Sequence, residues 1–250
     1  MSNMRYWSGK RMRYAFISDI HGNDVALEAV MEDIHDTECD KIIVLGDICF
    51  RGPAPKRCLD IVRDRADAVL KGNADEWVVR GVRSGEVPDD RLDMMNREGM
   101  WAREQLSEDD IAFLNSLPMT LDGSDHGTNW LAFHATPKDL FQVVLPDAGE
   151  IEIEERIIGT HPHDMFLYGH IHLPYARRVR DRTIVNLGSV GLPFDGVAEA
   201  SYAVLDCTTA RVDVDLRRVP YDIERAVTAL SEAEYPNASY IAEVMRNGRP

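Results

Sequence analysis

Five short segments of the 250-residue chain each place a side chain able to bind a metal directly after an apolar, strand-like run. They are Asp19-Ile20-His21, Gly46-Asp47, Gly72-Asn73, Phe133-His134 and Gly169-His170-Ile171-His172, and four of the eight histidines fall in them. Carboxylate, amide and imidazole donors in this mixture suit manganese, iron, zinc or nickel, and the residue types do not choose among these metals. Two divalent ions about 3.5–4 Å apart can activate a water and clamp a phosphate, which takes a bridging carboxylate and neutral imidazoles. Asp47 is the natural bridge. Two such ions outweigh the charge of Asp19 and Asp47, so the pocket between them would be cationic and fit for an anion.

Taken singly, Asp19 and Asn73 would read as helix caps or turn residues, and His134 as a hydrogen-bonded core histidine. It is the ordered set, each member after a strand, that carries the metal reading. Two further residues are candidates for touching a substrate. Arg51, four residues past Asp47 and beside Gly52 and Pro53, could neutralise a phosphate oxygen, with a surface arginine as the plain alternative. Asn23, just past His21, could bind phosphate or cap the helix that follows. The pair His161 and His163 flanks Pro162 and reads as an exposed loop. His35 lies on a polar helix face and His126 in a Gly/Asp/Ser loop, both surface positions.

The elements that must bring these residues together alternate from the start. Residues 14–17, 41–45 and 68–70 are expected strands, and 24–35, 55–65 and 76–82 expected helices, with apolar spacing at Val25, Leu27, Val30, Met31 and Ile34 in the first helix. Such a run implies parallel strands whose carboxyl ends share one edge. Residues 81–118 form a helical insertion, with helices at 101–106 and 107–117 and a capping box from Ser107 to Asp110. Its Met94, Met95, Met100 and Trp101 are expected to pack on the body rather than rim the pocket. Strands are expected at 129–134, 165–168, 175–179, 183–187, 201–206 and 211–219, the last three as antiparallel hairpins, before terminal helices at 221–230 and 239–245.

Composition sets outer limits. Hydrophobic residues make up 44% and charged residues 28%, as in ordinary globular chains, and no apolar run is long enough to span a membrane. The net charge of -15 repels polyanions over most of the surface, so extended nucleic acid is a disfavoured partner. Residues 1–12 hold Arg5, Lys10 and Arg11 without a signal-peptide run and read as a flexible extension. Cys39, Cys49, Cys58 and Cys207 show no C-x-x-C spacing and read as reduced packing residues of a cytoplasmic protein.

The ordered set D-x-H, G-D, G-N, H and G-H-x-H resembles that of the calcineurin-like metallophosphoesterase superfamily over roughly residues 12–218. The stretches 18–23 and 186–191 and the insertion resemble its compact prokaryotic phosphodiesterase-type members. The resemblance implies an α/β (α+β) fold, a four-layer α-β-β-α sandwich of two mixed sheets, here a single domain over 13–250. It gives Asp19, His21 and His172 to a first divalent ion, Asn73, His134 and His170 to a second, and shares Asp47 between them. It further implies hydrolysis of phosphate esters, small phosphodiesters above all, by a metal-bound hydroxide, with Asp47, Asn73 and His134 in the catalytic centre and Asn73 near the substrate, beside the candidates Arg51 and Asn23. Many members have a histidine after the Asn; Ala74 stands there, so the usual candidate proton donor is missing and Asp75 is left to cap the next helix. The competing readings are a non-catalytic interaction scaffold of the same fold, and a nuclease or nucleotide phosphatase.

Overall fold

The computed structural model describes residues 11–209 and 211–250. Most of the expected extension therefore lies outside the described residues, and Met12, assigned to it, instead opens the first strand. Strand β1 (Met12–Ile17) leads to α1 (Asp24–Asp36), β2 (Lys41–Val44), α2 (Pro55–Arg65), β3 (Ala68–Val69) and α3 (Asn73–Arg80). The insertion follows as α4 (Asp89–Glu104) and α5 (Glu108–Ser116). Then come β4 (Thr120–Asp125), β5 (Thr128–Phe133), α6 (Glu150–Ile153) running into a π-helical turn (Glu154–Ile158), β6 (Met165–Tyr168), β7 (Tyr175–Val179) and β8 (Arg182–Asn186). Strands β9 (Ala200–Cys207) and β10 (Val212–Val219) and helices α7 (Ile223–Glu232) and α8 (Ala238–Asn247) complete the chain.

Two five-stranded mixed sheets result, ordered β10-β9-β1-β2-β3 and β4-β5-β6-β8-β7. Strands β1, β2 and β3 are parallel in the first, and β5, β6 and β8 in the second. Period-2 alternation decides which face each residue joins. In β1, Phe16 enters the core shared by the sheets with Leu45, Trp130, Leu167 and Val185, while Ala15 and Ile17 face the helices. In β5, Trp130 and Ala132 point to the shared core, and Leu131 and Phe133 to the layer under α6. The layers are therefore helix, sheet, sheet, helix. One pairing differs from expectation: β8 joins no hairpin with β9. It pairs antiparallel with β7 and parallel with β6, and only β9 and β10 form the expected hairpin.

The insertion packs on the body, although Met100, expected to pack with it, is 62% exposed. Met95, Ala102, Ile111 and Leu114 belong to the core over the first sheet, and Trp101 meets Tyr235 edge-on at 4.9 Å. Ser107 and Asp110 form the expected capping box, and Asp110 also pairs with Arg63 of α2 at 3.0 Å. Among the described residues no helix is long and apolar enough to cross a membrane.

Candidate metal centre

All five metal-capable segments leave the carboxyl ends of parallel strands: β1 for Asp19 and His21, β2 for Asp47, β3 for Asn73, β5 for His134 and β6 for His170 and His172. Sharp turns are needed so close to the strand ends. Asp19, His21, Asp47, His170 and His172 all take left-handed backbone, with φ between 50° and 67°. That region costs ordinary residues roughly 1–2 kcal/mol each, and Asp and His are among the residue types found there most often. A net of backbone hydrogen bonds holds the turns. Asp19 donates to Gly46, His21 to Asp47 and Gly22 to Ile48, while Val190 and Gly191 donate to Ser18 and Asp19. Glycine is required where the loops touch: a Cβ on Gly72 would fall 2.0 Å from Oδ1 of Asp47, and one on Gly169 2.4 Å from Oδ2 of Asp19.

The result brings the seven side chains to one place. Nε2 of His172 lies 3.1 Å from Oδ1 of Asp19 and 3.1 Å from Nε2 of His21. Oδ2 of Asp47 stands 3.8 Å from Nε2 of His21 and 3.4 Å from Nε2 of His134. Oδ1 of Asn73 is 2.8 Å from Nε2 of His134 and 2.8 Å from Nδ1 of His170. Six of the seven are buried, and His170 is half-buried. Two groups, Asp19 with His21 and His172, and Asp19 with Asp47 and His134, each gather their donor atoms within 4.8 Å.

Hydrogen bonds on the far side of the rings fix what they present. Nδ1 of His21 donates to Phe50 O at 2.8 Å, that of His134 to Leu45 O at 2.7 Å, and that of His172 to Leu192 O. His21 and His172 thereby turn an Nε2 lone pair inward, as outer partners of metal-binding histidines do, while Nε2 of His134 faces the oxygens of Asp47 and Asn73. Lone pairs then face lone pairs. His21 and His172 meet Nε2 to Nε2, and Oδ1 of Asp19, fully buried, has no hydrogen-bond partner. Such a convergence of acceptors is unfavourable unless a cation sits among them; the donor set fits divalent metal.

Charge points the same way. Burial, then the neighbouring His172, pushes His21 down to about 4, and burial with His134 does the same to His170. Burial also opposes charge on His134, yet Asp47 and Asp19 outweigh it and raise the ring to about 9. Asp19 and Asp47 both stay below the usual carboxylate range, because the imidazoles beside them overcome their burial. The cluster thus holds its carboxylates ionised and two of its imidazoles neutral.

Asp75 plays a larger part than a helix cap. Its fully buried carboxylate accepts from the backbone N–H groups of Gly72, Asp47 and Ile48 at 2.8–2.9 Å, so it ties the turn carrying Asp47 to the start of α3. Burial, reinforced by Asp47, raises it to about 6. Ala74 donates its N–H to Oδ1 of Asp47 at 2.7 Å, and its methyl group is part of the core. Three further side chains support the site, two of them, Asn186 and Ser189, in the 186–191 stretch that carries part of the resemblance, and the third, Phe194, without a signal in the sequence. Asn186 binds Gly169 O, Ser189 Oγ binds Asp19 O, and the ring of Phe194 stacks on His172 at 4.1 Å.

The expected substrate residues separate. Asn23 is fully buried, its Oδ1 accepting from Ala26 N and its Nδ2 donating to Gly191 O. It is the cap of α1, and both ends of its amide are committed there, which corrects the expectation of a phosphate contact. Arg51 stands in the loop after Asp47 with its side chain only 17% exposed, held by Glu98. His163 is half-buried against the ring of Phe166 rather than exposed.

Comparison with known proteins agrees with this geometry. Residues 12–210 match the family model described as the calcineurin-like phosphoesterase superfamily domain. An uncharacterized protein of Methanocaldococcus jannaschii, MJ0912, is 30% identical over 247 residues, covering 89% of this chain and 93% of its own. Phosphodiesterase YfcE of Escherichia coli is 26% identical over 78% of this chain and 88% of its own. A crystal structure of a metallophosphoesterase from Sphaerobacter thermophilus superposes with a TM-score of 0.76 at 28% identity, covering 96% of this chain and all of that one.

Proposed function

This chain belongs to the calcineurin-like phosphoesterase superfamily and is a phosphoesterase, and from that premise we propose that it hydrolyses small phosphodiesters at a dinuclear divalent-metal centre. Asp19, His21 and His172 would hold one ion, Asn73, His134 and His170 the other, and Asp47 both. The observation that carries this reading is the inward convergence of lone pairs, above all the 3.1 Å approach of His21 and His172 whose Nδ1 protons are already spent. When bound, the ions would acidify a water and offset the charge growing on the phosphoryl oxygens.

The protein's own groups do the rest. The carbonyls of Phe50, Leu45 and Leu192 keep the rings of His21, His134 and His172 in one orientation. Asp75 keeps the Asp47 turn closed. Arg51 would hydrogen-bond a phosphoryl oxygen. No side chain at position 74 can protonate the leaving oxygen, so it departs largely unassisted there. The phosphodiesterase name of the E. coli relative supports diesters over monoesters, and the free, mostly buried thiols suit a reducing cytoplasm.

The test is reversible loss. Purified protein stripped with a chelator should lose hydrolysis of a chromogenic diester and regain it on addition of manganese, iron, zinc or nickel. Full turnover by protein shown to be metal-free would sink the reading.

A further inference from the structure

Glu98, on α4 of the insertion, is 0% exposed. A carboxylate stays in the interior only where charge and hydrogen bonds compensate it. Its oxygens are divided between two distant parts of the chain: Oε2 lies 3.5 Å from Nε of Arg51, and Oε1 accepts from Nδ2 of Asn237, just before α8, at 3.0 Å. The guanidinium also sits 6.0 Å from the ring of Tyr240 and 5.9 Å from that of Phe50. Only its Nε edge is engaged. The two outer nitrogens make no hydrogen bond with any described residue, and neither is shut off from solvent. A guanidinium engaged only through Nε, with its outer nitrogens open, keeps its fork available for an anion. Its loop is the one that serves the metal centre, since the preceding carbonyl, Phe50 O, accepts from Nδ1 of His21.

We propose that Glu98 is a positioning residue that aims Arg51 at the substrate phosphate and, by cancelling its charge, favours singly charged phosphodiesters over doubly charged monoesters. This rests on the reading that Arg51 contacts the phosphate. The pair supplies directed donors without net charge, and a dianion loses more than a monoanion when positive charge is withdrawn. The insertion and the last helix thereby set the selectivity of a centre to which they contribute no proposed metal ligand.

The experiment measures kcat/KM for bis(4-nitrophenyl) phosphate and 4-nitrophenyl phosphate, and inhibition by inorganic phosphate, with metal saturating. Parent, Glu98→Gln, Arg51→Ala and the double variant are compared. Glu98→Gln should lower the diester-to-monoester preference about tenfold and tighten phosphate inhibition, and in the Arg51→Ala background both effects should shrink markedly, leaving only the direct action of its charge. An unchanged preference in Glu98→Gln, with Arg51→Ala impaired, overturns the role of Glu98. A shift of undiminished size without Arg51 overturns it as well. Full activity of Arg51→Ala instead removes the premise about Arg51, while the metal-dependent activity itself stands. Should Glu98→Gln not give folded protein, Asn237→Ala releases the other oxygen of Glu98 and must move the preference in the same direction, by a smaller factor, only when Arg51 is present; no movement overturns the proposal.

Discussion

At the scale of single residues, Asp47 is distinguished by how its two oxygens are used. Oδ1 is taken by the N–H of Ala74, and Oδ2 faces His21 on one side and His134 on the other. Asp47→Asn puts an amide nitrogen or a neutral oxygen where both proposed ions need an anionic one, whereas Asn73→Ala removes a ligand from one ion only. Elemental analysis of the purified variants should therefore find less bound metal in Asp47→Asn than in Asn73→Ala, and equal content would refute the bridge. Position 74 yields a second expectation. General acid catalysis is typically worth about 10²–10⁴-fold, and Ala74 forgoes it, so hydrolysis should depend steeply on the leaving group, with aryl diesters far ahead of alkyl ones. A series of substituted phenyl and alkyl diesters checks this, and a flat dependence in a chemistry-limited regime would mean that another group supplies the proton. A histidine installed at 74 is not a useful complement, because the Ala74 methyl is 1% exposed and packed in the core.

At the scale of elements, side chains far from the site tie α1 to the first sheet. Asp33 on α1 receives two hydrogen bonds from Arg217 of β10, at 2.7 and 2.9 Å, and a third from the hydroxyl of Tyr202 on β9. Arg217, aided by Tyr202, holds its carboxyl below the usual range. A carboxyl depressed in the folded state stabilises it above the unfolded pKa, near 4, and that contribution fades as pH falls through the folded value. Asp33→Asn should accordingly cost about 1 kcal/mol at pH 7, given partial exposure, and the gap from the parent should narrow below roughly pH 4. Urea unfolding at pH 7 and pH 3 measures it. The elements around the site were largely legible in the sequence, because β1 to α3 follow simple apolar periods and each ligand directly follows one. Strand β4 was not: Thr120–Asp125 is polar and carries Gly123, and its place comes from pairing with β5 along its whole length. The short α6 and the long α4, with Gly99 inside it, were obscured in the same way, being set by packing rather than by pattern. Strand β8 lay close to β9 in sequence but belongs to the other sheet. That choice is made by its buried Ile184 and Val185, which serve the two sides of the second sheet.

At the scale of the molecule, a net charge of -15 surrounds a centre proposed to accept an anion. A small ester feels mainly the centre, whereas the flanking phosphates of a polynucleotide meet the acidic surface, within a Debye length of about 8–10 Å at physiological salt. The enzyme should cleave mononucleotide-sized diesters much faster than long single-stranded DNA at physiological ionic strength. Rapid degradation of the DNA by protein free of contaminating nuclease would contradict this. The five left-handed turns at the centre carry a different consequence, one for selection. Each holds an Asp or His in a backbone region where glycine sits without penalty, and the lone pairs they aim at one another are content only around cations. A search for thermostable variants of the metal-free protein would thus reward loss of the very side chains proposed to bind metal. Stability alone is a misleading guide for improving this protein; breeding it for robustness has to be done with metal present and turnover scored, or the selection will dismantle the site first.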